Sequence, residues 1–148
     1  MADRPATGWL ETYRGVVYPW QCDHMGHLNA MFYTNIFDQS LTHLMAACGY
    51  RFSPPEAAHL AYVNVRQLVD YVGELRAGAR ILARAGALRR GRSSIVTLHR
   101  LFNAETGALA ATAETTTVHF DLQARQSLPL REETLARIDG LKVDPEAA

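Results

Sequence analysis

One stretch of period 3.6 stands in a chain whose other patterned segments read with period 2. Tyr33, Phe37, Leu41, Leu44 and Cys48 recur at spacings of three and four, which puts them on one side of a helix. Asn29 is a good N-cap before this stripe, and Gly49 supplies a left-handed stop after it. The spacing predicts one helix over 30–48, about five turns long, with Thr34, Asp38 and Thr42 on a polar stripe beside the apolar one. A lone amphipathic helix must cover one dry surface, and the rest of the chain has to supply it.

That surface reads as a sheet. Leu10 to Tyr18 is rich in tyrosine and valine and is closed by Pro19, a first strand after a loose arm over 1–9. Ser53-Pro54-Pro55 marks a connection that cannot be helical. Beyond it, Ala61, Val63, Val65 and Val69 alternate with Tyr62, Asn64, Arg66 and Asp70, which predicts an apolar face and a polar face. Gly73 and Gly78 bracket the next turn, and Ile81, Ala83, Ala85 and Ala87 repeat the alternation. Arg89-Arg90-Gly91-Arg92 reads as a hairpin turn, Val96, Leu98 and Phe102 as a further strand, and Asn103 to Gly107 as turn chemistry. The last strand, about 109–120, is rich in alanine and threonine, small enough for another surface to approach closely. Leu128-Pro129 breaks the pattern before a short helix from Arg131 to Ile138 and a frayed tail. The expected fold is α+β: five strands, the last four in consecutive antiparallel hairpins, wrapped around one long helix.

At 148 residues this is one domain, with its core over about 10–122 and a terminal piece over 128–148. Fifteen basic residues balance fifteen acidic ones, so no global field draws in nucleic acid or an anionic membrane, and any anion site must be local. Cys22 and Cys48 are the only cysteines, the start Met1–Pro5 lacks a secretory pattern, and no apolar run approaches the length of a membrane span. A reducing cytosol is the expected compartment.

The chemistry is concentrated in Pro19–Asn29. Cys22, Asp23, His24, Gly26 and His27 sit just before the helix, whose free amides can bind or polarise an acceptor. Asp23 could cap local amides, as loop aspartates do, or serve as a reactive carboxylate. His24 and His27 could orient that carboxylate or a water, or could be satisfied loop histidines. Cys-Asp-His-x-x-His is not a zinc spacing, and no other cluster supplies missing ligands, so no metal is expected.

The run Asp23-His24-Met25-Gly26-His27-Leu28-Asn29, followed by Met31-Phe32-Tyr33 and set in this order of elements, resembles the hot-dog fold acyl-CoA thioesterases of the 4-hydroxybenzoyl-CoA thioesterase type. The likeness extends from about Thr12 to Asp121. It implies hydrolysis of an acyl-CoA to a carboxylic acid and free coenzyme A, with coenzyme A as part of the substrate and no metal or redox cofactor. It further implies that Asp23 is the nucleophile or general base and that the Ala30 amide holds the thioester oxygen. Gly26 allows the bend that joins the two, Asn29 caps the helix, and His27 matches the family run. Oligomerisation follows from the same resemblance: a homodimer or homotetramer with the site between subunits.

Some hot-dog branches carry the carboxylate about two turns into the helix, where Asp38 lies eight residues beyond Ala30. Asp23 fits the matching branch, which leaves Asp38 for a substrate, dimer or solvent contact. Arg89, Arg90 and Arg92 with Ser93 form the only dense basic cluster, suited to coenzyme A phosphates or to a solvated hairpin. Trp20, Tyr33 and Phe37 could line an acyl pocket or belong to the core, and His24 and Tyr33 are counted with the substrate-binding set. The rival activities are a hot-dog dehydratase or hydratase, and a non-catalytic module that binds acyl-CoA.

Overall fold

A computed structural model describes residues 8–51 and 57–146. Strand β1 (Leu10–Val16) leads through a 3-10 turn (Pro19–Gln21) into helix α1 (Ala30–Ala47). Then come β2 (Leu60–Tyr71), β3 (Arg80–Arg90), β4 (Ser94–Asn103), β5 (Leu109–Asp121), the two-residue β6 (Gln126–Ser127) and helix α2 (Glu132–Asp139). The Ser53-Pro54-Pro55 connection and residues 1–7 of the terminal arm lie outside the described residues.

The helix forms as its periodicity requires. Asn29 Oδ1 accepts a hydrogen bond from Met31 N at 3.0 Å, and Gly49, at φ +92°, stops the far end. The buried stripe holds Tyr33, Ile36, Phe37, Leu41, Leu44 and Met45. It lies against a floor of small side chains, Ala83, Ala85, Ala111 and Ala113, all fully buried. The alanines of β3 let the helix backbone come close, whereas the close approach expected of the last strand does not form: the helix backbone nears β1, β3 and β4, and β5 meets it through side chains in the core.

The sheet runs β1-β3-β4-β5-β2, antiparallel throughout, with β6 added beside β5. The expectation of four strands in consecutive hairpins is corrected here. β3–β4 and β4–β5 are hairpins, but β2 pairs with β5 rather than β3, so the Gly73–Gly78 stretch belongs to a crossover. The edge of β3 that β2 would have used is taken by β1, from Leu10↔Ala85 to Val16↔Arg80. Alternation identifies the faces of a strand; it carries no information about its neighbour.

The face assignment of β2 is also corrected. A bulge between Asn64 and Arg66 leaves Val65 out of register and 60% exposed. Tyr62 is paired with His119 and Asn64 with Thr117, both partners being buried on the helix-facing side. Ala61, Val63 and Val65 therefore face away from the helix at this end, opposite to the predicted phase. The reason lies in β5, whose inward row here is polar: Thr117 Oγ1 donates to Asn64 Oδ1 at 3.2 Å, and Gln67 Nε2 donates to Thr115 Oγ1 at 3.4 Å. Past the bulge the phase recovers, and Val69 packs on the core. Arg89 and Arg90 belong to β3, so the hairpin turn begins only at Gly91, whose N–H bonds to Ser94 O at 2.9 Å.

Among the described residues, no helix is long and apolar enough to cross a membrane.

Candidate active site

After β1 the chain stays tied to the start of β3, with Val17 N donating to Ala79 O at 2.9 Å. The loop that follows is closed by a bridge between Cys22 and Leu28 and by Asp23 N donating to His27 O at 2.8 Å. Gly26 turns it at φ +78°, with no atom near the space a Cβ would take. Its role is conformational, a left-handed position that costs an L-residue free energy.

Asp23 Oδ1 accepts from Met25 N at 2.9 Å and from His27 N at 3.2 Å. The local capping weighed from the sequence is therefore real, but both bonds converge on one oxygen. Oδ2 accepts no hydrogen bond among the described residues. At the helix start, Asn29 takes Met31 N on its side chain and Phe32 N on its carbonyl at 2.9 Å. Ala30 N–H has no acceptor among the described residues, as helix-start amides do not unless something is brought to them.

Asp23, His27, Ala30 and Tyr33 line one cleft of about 210 Å³ with Tyr71 and Glu74. Tyr33 packs edge-on against Tyr71, ring centroids 5.1 Å apart. Burial, followed by the neighbouring Tyr71, Asp23 and Glu74, pushes the Tyr33 phenol up to about 12, so it remains a proton donor at neutral pH. His27 Nε2 is buried 3.1 Å from Glu74 Oε2, close enough for charge pairing but too poorly aligned for a hydrogen bond.

The sequence profile of the thioesterase-like superfamily matches residues 17–138, which include the loop, the helix and the sheet just described. The chain belongs to that superfamily. It is a thioester hydrolase by family, and its fold is the hot-dog roll. It is 29% identical over 132 residues to a protein of Pseudomonas aeruginosa named betainyl-CoA thioesterase, covering 89% of this chain and 83% of the relative. A Staphylococcus aureus protein solved in complex with CoA superimposes with a TM-score of 0.81 at 17% identity, over 89% of this chain and 84% of that one. The 1,4-dihydroxy-2-naphthoyl-CoA thioesterase of Synechocystis gives 0.78 at 17% identity, over 88% and 96%.

In this member of the thioesterase-like superfamily, the remaining predicted residues are spread out. His24 is exposed on the loop and does not line the cleft. Asp38 lies about 12 Å further along the helix than Ala30, in a separate cleft of about 140 Å³. Arg89 and Arg90 end a strand whose other end, Arg80, adjoins the loop; eleven residues put them roughly 30 Å from it. They pair with Glu114 at 3.4 Å and Asp139 at 3.5 Å. Arg92 and Ser93 sit in the adjoining turn, where their carbonyls accept from Leu130 N and His119 N. The sequence reading missed Tyr71, Gly73 and Glu74, which line the cleft from the end of β2. Nothing in their local pattern marks them, because the β2 crossover alone brings them beside Asp23.

Proposed function

We propose that the chain hydrolyses acyl-CoA thioesters to a carboxylic acid and free coenzyme A, using Asp23 and the Ala30 amide. The observation that carries this reading is that Asp23 and Ala30 line one cleft, and that Asp23 Oδ2 and Ala30 N–H have no hydrogen-bond partner among the described residues. A thioester carbonyl between them would meet a base or nucleophile at carbon and a hydrogen-bond donor at oxygen. As general base, Asp23 takes a proton from water while the oxygen adds to the carbonyl. The carbonyl electron pair moves to the oxygen held by Ala30; it then returns, the C–S bond breaks, and the thiolate recovers the proton from Asp23. As nucleophile, Asp23 would instead form a mixed anhydride as the C–S bond breaks and the thiolate leaves; water would then open the anhydride, giving the carboxylic acid, regenerating the Asp23 carboxylate and supplying the proton that the thiolate takes up. Water is the only co-reactant on either route. Gly26 and Asn29 set the geometry, His27 orients the water or carbonyl from the cleft wall, and His24 faces the incoming thiol carrier. The two thiols of Cys22 and Cys48 are unpaired with each other, in keeping with a cytosolic protein.

We further assign the active unit to a dimer joined through β2. Among the described residues this strand pairs only with β5, so its other edge is open, and Val65, Leu68, Tyr71 and Val72 are exposed along it. Arg66 and Asp70 flank Leu68 on one face. A two-fold axis at Leu68 would set each Arg66 opposite the partner's Asp70, the self-complementarity that an isologous contact needs. Arg89, Arg90, Arg92 and Ser93 would then serve coenzyme A phosphates of the partner's site. Neutralising these arginines should raise KM for acyl-CoA more than for a short acyl-pantetheine thioester.

The deciding experiment is thiol release from a panel of acyl-CoAs by the wild type, Asp23→Asn and Asp38→Asn. Betainyl is a trimethylammonium acyl group, and the name of the Pseudomonas aeruginosa relative is a reason to include it. Asp23→Asn should lower kcat on the order of 10²–10⁴-fold. Full turnover by Asp23→Asn with loss in Asp38→Asn would move the chemistry onto the helix. Binding without thiol release from any member would favour the non-catalytic acyl-CoA module.

A further inference from the structure

Glu74 lines the Asp23 cleft and stands against His27 Nε2, the one buried side-chain nitrogen or oxygen without a hydrogen bond among the described residues. Its Oε2 lies 3.1 Å from that nitrogen, with Arg76 Nη2 a more distant second partner at 3.9 Å. The main chain fixes this approach. On one side of Glu74, Gly73 N donates to Ala110 O at 2.9 Å; on the other, Leu75 is buried in the core and its carbonyl accepts from Leu28 N at 2.7 Å. A further bridge joins His27 to Arg76. Glu74 thus reaches His27 from a backbone held at both neighbours, while its side chain, 64% exposed, is free to turn.

The two ring nitrogens of His27 meet different surroundings. Nε2 is closed off from solvent; Nδ1 also carries no hydrogen bond among the described residues, but it is not closed off. An ionised carboxylate only accepts hydrogen bonds. A lone pair on Nε2 would be repelled by the carboxylate oxygen 3.1 Å away, whereas an N–H there is attracted to it. Glu74 therefore selects the tautomer that carries its proton on Nε2. A turn of the exposed carboxylate brings the pair into line, the kind of tightening that accompanies substrate binding. In the neutral ring the remaining lone pair is then on Nδ1, the open nitrogen of a residue that lines the cleft.

We propose that Glu74 is a positioning residue: it holds the proton of His27 on Nε2, so that Nδ1 accepts a hydrogen bond from the attacking water and aims it. The proposal rests on the hydrolase reading above and deepens it. An acceptor at Nδ1 can take a hydrogen bond from water but cannot donate one to the thioester carbonyl, so His27 serves the water and the carbonyl is left to Ala30. His27 gains no proton. On the general-base route the water gives a hydrogen bond to Nδ1 and its other proton to Asp23 as its oxygen bonds to the carbonyl carbon; on the anhydride route Nδ1 aims the water that opens the anhydride.

The tautomer is read without substrate, from proton–nitrogen NMR correlations through the imidazole ring of isotope-labelled histidine, on the alkaline side of the ring's titration and with His27→Ala to assign the signal. Wild type should hold the Nε2–H form, and Glu74→Ala should relax towards the mixture of the free side chain. With an acyl-CoA that the wild type hydrolyses, Glu74→Ala should lower kcat on the order of 10-fold while moving KM less than about 2-fold. In Glu74→Gln the amide can accept or donate, and kcat should follow whichever tautomer it selects, kept with Nε2–H and lost with Nδ1–H. Added to His27→Ala, Glu74→Ala should cost nothing further, because its effect passes through the ring. A tautomer unchanged in Glu74→Ala, a kcat in Glu74→Gln that departs from its tautomer, or a further loss on top of His27→Ala overturns the positioning role. Absent thiol release from every acyl-CoA, with a tautomer that still follows Glu74, overturns the hydrolase reading alone. Equal unfolding midpoints of Glu74→Ala, Glu74→Gln and the wild type exclude misfolding as the cause.

Discussion

Ser40 Oγ on α1 lies 2.7 Å from His99 Nδ1 on β4, and both residues are fully buried. Thr12 Oγ1 meets the same hydroxyl at 2.6 Å, while Thr97 Oγ1 holds His99 Nε2 at 2.9 Å. Both ring nitrogens are satisfied by hydroxyls, which suit a neutral imidazole, and burial pushes the ring down to about 4. The unfolded ring titrates near the ordinary 6.5. Below that pH the unfolded chain takes up a proton that the native core refuses, so stability is complete above about pH 6.5 and falls as the pH drops towards 4. This one group supplies at most about 3 kcal/mol of that loss. The urea midpoint should fall between pH 7.5 and pH 5, and His99→Gln should flatten the dependence. An equally steep dependence in His99→Gln would contradict the assignment.

Gly26→Ala should separate loop geometry from global stability. The new methyl meets open space, so its cost is the positive φ alone, about 1–2 kcal/mol. Strain of that size in a short loop is relieved by moving Asp23 relative to Ala30. The expected outcome is a small shift in unfolding midpoint with a fall in kcat of at least about 10-fold.

Asn29→Ala removes the acceptor of Met31 N–H at the start of α1. It should cost about 1 kcal/mol in chemical denaturation, and Asn29→Ser should restore most of that. Because the Ala30 amide belongs to the same turn, kcat should follow the same order: wild type, then Ser, then Ala.

Tyr33 sets an expectation for the alkaline limb of the pH profile. With its phenol held near 12, principally by burial, it keeps its proton through pH 10. kcat/KM should therefore show no loss assignable to this group between pH 7 and pH 10, and Tyr33→Phe should leave the shape of the profile unchanged there. A wild-type limb near pH 10 that disappears in Tyr33→Phe would contradict this.

The sequence by itself determined the local features. The helix with its Asn29 cap and Gly49 stop, the bend at Gly26 and the placing of Asp23 just before the helix all depend on residues within one or two turns of each other. Short-range hydrogen bonds and side-chain periodicity are written directly in residue order. The tertiary structure decided which strands became neighbours. β2 crossed to β5, its bulge turned Tyr62 and Asn64 inward, and its far end brought Tyr71 and Glu74 to Asp23. Ser40, on a helix position predicted only by spacing, gained its role by meeting Thr12 and His99 from two different strands. These outcomes depend on competition among distant segments for sheet edges and polar partners, and the periodicity of each segment is the same whichever neighbour prevails.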